Sequence, residues 1–191
     1  MNNVSFTGKT ALISGGASGI GLATAQRLIA QGATVWIADI QDTLGQQIAE
    51  EIGANYLHLD VAKEEEWTSA VELIAGQGQG LHLLMNNAGV AIGGTLETQT
   101  TAEFLQTINI NLLGVFLGCK VCAPLLALSG GGSIVNVSSI WGMVSDPGAV
   151  AYSASKGGVR TMTKAITLDL ADRKPQIIAN SIQPGFTATP M

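Results

Sequence analysis

A chain of 191 residues, 47% apolar and only 12% charged, is long enough for one domain with a substantial core and too apolar for disorder. A formal net charge of −5 excludes the basic footprint of a nucleic-acid binder, and no Lys/Arg cluster supplies a polybasic membrane anchor. Met1 to Ser5 carry no charged region followed by an apolar run, so no secretory signal is visible and the expected location is the cytoplasm.

Strands and helices alternate from the start. Thr10–Ser14 is a short apolar run that ends in a glycine cluster, Gly15-Gly16-Ala17-Ser18-Gly19-Ile20-Gly21. Helical spacing through Leu22, Ala25, Leu28 and Ile29 follows and stops at Gly32. A second strand runs over 34–38 and ends at Asp39, a helix covers about 42–52, and a third strand over 56–59 ends at Asp60. A helix over about 64–75 leads to a fourth strand, 81–85, which ends in Asn86-Asn87-Ala88-Gly89.

A long helix over 102–128 comes next, and it contains the most apolar stretch of the chain. Asn109, Asn111, Lys120 and Pro124 interrupt it, which argues for a helix buried on most sides and against a membrane span. Cys119 and Cys122 form a C-x-x-C there. Zinc would need two more ligands, and neither His58 nor His82 has ligand spacing, so no metal is expected; two buried thiols are favoured over a redox pair. A fifth strand over 133–137, a helix carrying Tyr152 and Lys156 to about 172, and a sixth strand over 177–182 before Pro184-Gly185 complete the series. Continuous apolar strands joined by helices mean a parallel sheet covered on both faces. The expected fold is α/β: a Rossmann-type doubly wound parallel sheet, three-layer α/β/α, in one domain, with strand order 3-2-1-4-5-6.

The glycine cluster sits between a strand and a helix. Missing side chains there permit a tight turn and close backbone approach to a pyrophosphate, and the helix N-terminus offers free N–H groups. Gly15, Ser18, Gly19, Ile20 and Gly21 are therefore candidate cofactor contacts. Asp39 ends the second strand eighteen residues beyond Gly21, where a carboxylate can accept from both adenosine ribose hydroxyls and would repel a 2′-phosphate. With no Arg or Lys in 15–21 or at 40–41, NAD is expected over NADP. Asp60, beside Val61, either bonds the adenine amino group or caps the next helix. Asn87, Ala88 and Gly89 place small residues near the switch point, where the amides of the Asn86-Asn87 pair also brace neighbouring strands.

Tyr152 and Lys156 stand four apart, on one face of a helix. A phenol, with a reference pKa of about 10, is a poor base near neutrality. A fixed ammonium beside it favours the phenolate. Ser139, thirteen residues before Tyr152, adds a hydroxyl able to hold the oxygen of a carbonyl or alcohol. This is acid–base chemistry on a C–O group, and it needs a hydride carrier nearby.

Together these residues closely resemble the short-chain dehydrogenase/reductase family in its single-domain, Y-x-x-x-K class. The match runs from about residue 6 to 191 through G-x-x-x-G-x-G at 15–21, Asp39, Asp60, N-N-A-G at 86–89, Asn111, Ser139, Tyr152, Lys156 and Pro184-Gly185. The resemblance implies that Tyr152 is the general acid–base, that Lys156 holds the nicotinamide ribose, and that Ser139, chosen over Ser138 by spacing, polarises the substrate oxygen. It implies that Asn111 kinks the long helix and holds a relay water near Lys156, and that Pro184, Gly185, Thr187 and Thr189 approach the nicotinamide carboxamide. Members usually run longer: against them this chain stops short of the lid helices and seventh strand. The sixth strand is then expected to have an exposed edge.

Ala91, Ile92, Trp141, Met143, Val144 and Phe186 are expected around the reactive carbon, with Trp141 and Phe186 as substrate contacts. They suggest a ketone or secondary alcohol with an apolar body. The expected activity is NAD-dependent interconversion of a secondary alcohol and a ketone. A 3-oxoacyl-thioester reductase and a non-catalytic NAD-binding regulatory subunit are the competing readings. The expected assembly is a homodimer or homotetramer through helices 102–128 and 152–172.

Overall fold

A computed structural model of the chain describes residues 4–172 and 175–189. Met1–Asn3, at the start of the segment read for a signal, and Pro190–Met191, where the chain ends, lie outside the described residues. Six strands, β1 (Thr10–Ser14), β2 (Thr34–Asp39), β3 (Asn55–His58), β4 (Leu83–Asn86), β5 (Gly132–Val137) and β6 (Ile177–Ile182), form one sheet in the order β3-β2-β1-β4-β5-β6. All neighbours pair in parallel, as the alternation of elements predicts. Among the described residues β6 lies at an edge, with Ile178 and Ile182 exposed.

The central strands are apolar at consecutive positions because both faces are covered. Leu12, Trp36 and Leu84 point to one core and Ile13, Ile37 and Met85 to the other. The first core is closed by α3 (Glu64–Gly76), α5 (Gly114–Leu128) and α6 (Val150–Ala171), through Trp67, Ile74, Leu126 and Val159. The second is closed by α1 (Gly19–Ile29) and α2 (Asp42–Ile52), through Ala25, Leu28 and Ala49.

The long helix is continuous over Thr101–Leu128 but not uniform. It opens as α4 (Thr101–Ile108) behind a capping box, in which Thr100 and Glu103 each accept from the other's backbone N–H. It widens into a π-helical turn at Asn109–Leu113 and continues as α5. The extra backbone residue re-registers the helix, so that α4 packs on α6 while α5 packs on α3. By length and composition the helix could cross a membrane, yet Thr107, Asn111, Cys122 and Leu126 are fully buried inside the domain. Both cysteines are free and buried; burial pushes the Cys119 thiol up to about 11 and Cys122 higher still, which suits packing and not redox exchange.

Strand order reverses between β1 and β4, so the segments leaving their C-terminal ends diverge and leave a crevice. Gly15–Gly21 and Asn87–Gly89 lie on those two segments, Asp39, Asp60, Ser139 and Pro184–Gly185 lie at or beyond the C-terminal ends of β2, β3, β5 and β6, and α6 carries Tyr152 and Lys156.

Candidate active site

A cleft of about 510 Å³ runs along the C-terminal ends of the strands. Its lining includes Gly15, Ser18, Gly19, Ile20, Asp39, Asp60, Val61, Asn87, Ala88, Gly89, Ser139, Trp141, Tyr152, Lys156, Pro184, Gly185, Phe186, Thr187 and Thr189. Of the residues predicted to contact ligand or take part in chemistry, Gly21 and Asn111 do not line it.

The glycine end is built by exclusion of side chains. Gly15 has φ +62°, and a Cβ there would stand 2.8 Å from Ala88 Cα. A Cβ on Gly21 would collide with the Gly15 carbonyl and stand 2.7 Å from Asn87 Nδ2. Gly21 therefore lets α1 start directly beneath the loop and does not reach into the cleft. Asn87 Nδ2 donates to Ser14 O and Gly15 O at 3.1 and 2.9 Å, which ties the loop after β1 to the loop after β4. Ser18 precedes α1 without capping it, so its side chain does not occupy the first N–H groups of α1, and Gly19 and Ile20 at the start of that helix line the cleft.

Asp39 is 8% exposed at the end of β2. Its Oδ2 accepts from Ala17 N–H at 3.3 Å and its Oδ1 from Gln41 N–H at 3.2 Å. The carboxylate thus lines the cleft while holding the glycine loop in place. Asp60 does not cap α3, which begins behind Lys63; instead its Oδ1 accepts from Ala62 N–H at 3.0 Å and braces the turn before that helix. Val61 packs against Gly114, and its carbonyl accepts from the Trp67 indole at 3.0 Å.

At the other end, Ser139 and Tyr152 share the cleft with Lys156. Ser139 precedes a 3₁₀ turn, Ile140–Gly142, and its Oγ accepts from Trp141 N–H at 3.2 Å. That bond uses a lone pair and leaves the Ser139 proton to donate into the cleft. Ser138, its neighbour, is committed elsewhere: its Oγ donates to Lys156 O at 2.7 Å. Tyr152 meets Trp141 edge to face at 5.8 Å, and Trp141 meets Phe186 the same way at 6.3 Å.

Lys156 is 3% exposed; its Nζ donates to Val137 O at 2.8 Å and stands 5.7 Å from the centre of the Tyr152 ring. Burial pulls its pKa down to about 8, so near neutrality the ammonium form prevails. One donor is used on Val137, and two remain for the cleft.

Asn111, fully buried in the π-helical turn, is spent on protein partners: Oδ1 accepts from Val90 N–H at 2.8 Å, and Nδ2 donates to Val90 O and Ser155 Oγ at 2.9 and 3.1 Å. Ser155 Oγ in turn donates to Tyr152 O at 2.7 Å. Asn111 links the loop after β4 to the turn that carries Tyr152. Gly89 fits between: a Cβ there would stand 3.1 Å from Asn111 Oδ1 and 3.4 Å from Lys156 Nζ.

Three expected wall residues are misplaced by the sequence reading. Ile92, Met143 and Val144 do not line the cleft, and the last two are exposed. For Met143 and Val144 the 3₁₀ turn is the cause, since both N–H groups bond Ile140 O and the chain leaves the cleft after Trp141. Ser14 was not anticipated. Its Oγ accepts from the N–H groups of Asn87 and Ala88 at 3.1 and 3.2 Å; a serine closing an apolar strand beside the glycine cluster was the available signal. Leu59, Val90, Ile110 and Val137 also line the cleft, and apolar side chains carry no signal of that kind.

Comparison with known proteins agrees with this geometry. The short chain dehydrogenase family model matches residues 9–191. A cyclopentanol dehydrogenase of Comamonas testosteroni is 42% identical over 188 residues, covering 96% of this chain and 74% of that protein. A 3-alpha-(or 20-beta)-hydroxysteroid dehydrogenase of Mycobacterium tuberculosis is 40% identical over 186 residues, covering 96% and 71%. An NADP-dependent (R)-specific alcohol dehydrogenase of Lentilactobacillus kefiri is 36% identical over 189 residues, covering 96% and 75%.

Proposed function

This chain belongs to the short-chain dehydrogenase/reductase family, and from that premise we propose that it interconverts a secondary alcohol and a ketone with NAD, using Tyr152 as the group that gives and takes the proton. The observation that carries the reading is one cleft holding the Ser139 and Tyr152 hydroxyls and the buried Lys156 amine at one end and the Asp39 carboxylate at the other.

The residues present fit a dinucleotide. Uncapped amides of α1 suit a pyrophosphate, the Gly15–Gly21 cradle leaves room for it, and Asp39 suits ribose hydroxyls. Asp39 also argues against a 2′-phosphate, whose charge it would oppose; that is the basis for NAD over NADP. When bound, the nicotinamide supplies the acceptor or donor of the hydride at the carbinol carbon.

The protein's part is positional and protonic. Ser139 donates its free proton to the substrate oxygen and fixes it beside Tyr152. On oxidation Tyr152 takes the hydroxyl proton; on reduction it returns one to the carbonyl oxygen. Lys156, held on Val137, puts positive charge behind the phenol and has donors left for a ribose. Asn111 acts at one remove, holding Val90 and, through Ser155, the Tyr152 turn.

The aromatic contacts of Trp141 and the apolar side chains of Val90, Ile110 and Phe186 favour an uncharged, compact ring as substrate body. Relatives named for cyclopentanol and for hydroxysteroids support the same class. A panel of cyclopentanol, cyclohexanol and a hydroxysteroid, offered with NAD or NADP and followed by reduced-nicotinamide absorbance, tests the reading. Turnover of cyclic secondary alcohols faster with NAD is expected; tight NAD binding with no turnover would overturn it. For assembly, exposed Leu105 and Phe116 on α4–α5 and Leu168 on α6 support self-association across these helices, which light scattering checks.

A further inference from the structure

The first turn of α6 receives no cap from its own N-terminal residue, Ala149. An acceptor arrives from the loop between β4 and α4. Gln99 Oε1 accepts from Ala151 N–H at 3.2 Å, one residue before Tyr152. The same side chain uses its other end: Gln99 Nε2 donates to Ile92 O at 3.1 Å. Backbone contacts reinforce the junction. Gly94 forms a parallel bridge with Ala149, and its N–H donates to Gly148 O at 3.0 Å. Gly94 also has to be small, since a Cβ there would stand 2.8 Å from Gln99 Cβ.

These bonds bracket the active-site wall. Val90 is held on both backbone groups by Asn111, and Ile92 is held by Gln99. Ala91, between them, lines the cleft. On the opposite side Ala151, fully buried, fixes where the helix bearing Tyr152 begins. Alongside Asn111 and the Gly94–Gly148 contact, the Gln99 amide therefore ties the Ala91 wall to the Tyr152 turn.

We propose that Gln99 is a positioning residue: it caps α6 from a distance and ties that helix to the Ala91 wall, so that a substrate resting on the wall presents its oxygen to Tyr152. The proposal rests on the Tyr152 reading above. Gln99 does not line the cleft. Its two ends are separable by chemistry. In Gln99→Glu a carboxylate still accepts from Ala151 N–H, favoured by the helix dipole, but cannot donate to Ile92 O. In Gln99→Ala both bonds are lost.

The test measures kcat and KM for cyclopentanol with NAD, the Kd of NAD, and amide exchange at Ala151 in wild type and both variants. Gln99→Ala is expected to lose about tenfold or more in kcat through misplacement of Tyr152, with NAD affinity unchanged. Its Ala151 amide should exchange about tenfold faster, through loss of the cap. Gln99→Glu is expected to keep kcat within about threefold and Ala151 protection intact, while KM rises several-fold as in Gln99→Ala. Wild-type protein that turns over no alcohol would overturn the alcohol–ketone reading instead. Wild-type turnover with kcat, KM and Ala151 exchange unchanged in Gln99→Ala would overturn the positioning role alone, as would equal loss of kcat in the two variants.

Discussion

Lys156 places its amine 5.7 Å from the centre of the Tyr152 ring while donating to the Val137 carbonyl at 2.8 Å. The four-residue spacing brings the two side chains to one face, and the sheet does the rest: β5 ends where its last carbonyl can hold the amine. Lys156 is anchored to the strand and not to the phenol, so its amine is held beside the Tyr152 ring by the backbone of β5.

Holding that amine in the interior has a measurable consequence. Burial lowers the Lys156 pKa to about 8 from 10.5, so between these values the unfolded chain binds a proton that the folded one has released. Folding stability contributed by this group therefore rises with pH through that window and is flat below it. Denaturant unfolding of wild type and Lys156→Met at several pH values should show a difference that grows by a few kcal/mol from pH 8 upward. Parallel curves would show that the amine is not desolvated as described.

Asp39 does two jobs, and its removal should reveal both. Asp39→Ala loses the acceptor for Ala17 and the expected repulsion of a 2′-phosphate. The kcat/KM ratio for NAD over NADP should fall by about tenfold or more, and absolute activity with NAD should fall as well. An unchanged ratio would remove Asp39 as the basis of cofactor choice.

Gly21 offers a test of the cradle that leaves every chemical group in place. Gly21→Ala pushes a methyl into the Gly15 carbonyl and Asn87 Nδ2. NAD affinity, read by quenching of Trp fluorescence, should weaken by about tenfold or more as the loop shifts. Gly76→Ala, at the end of α3 with open space around its Cβ, should leave affinity as in wild type. Equal affinity in all three proteins would contradict the cradle.

The fold was legible because parallel strands buried on both faces read as unbroken apolar runs, and β1 and β6 begin and end as the pattern predicts. That Ser139, Tyr152, Lys156 and Asp39 share one cleft was legible too, from the four-residue helical spacing and from strands that end at Asp39 and just before Ser139. What stayed hidden depends on backbone geometry. The π-helical turn at Asn109–Leu113 has no signature in periodicity, so the burial of Asn111 against Val90 and Ser155 could not be derived from spacing. The 3₁₀ turn after Ser139 likewise carries Met143 and Val144 away from the cleft, although an apolar run beside Ser139 reads as a wall. Gln99 was silent for another reason: its partners are backbone groups, which every residue possesses.

The central claim is that Tyr152 transfers the proton in an alcohol–ketone exchange, and Tyr152→Phe tests it with the least disturbance, since the edge-to-face contact with Trp141 survives. Turnover of cyclopentanol with NAD and the Kd of NAD should be measured on the same preparations. The account predicts loss of about a thousandfold or more in kcat with NAD affinity within about twofold of wild type. Turnover by Tyr152→Phe at a rate near wild type would contradict it.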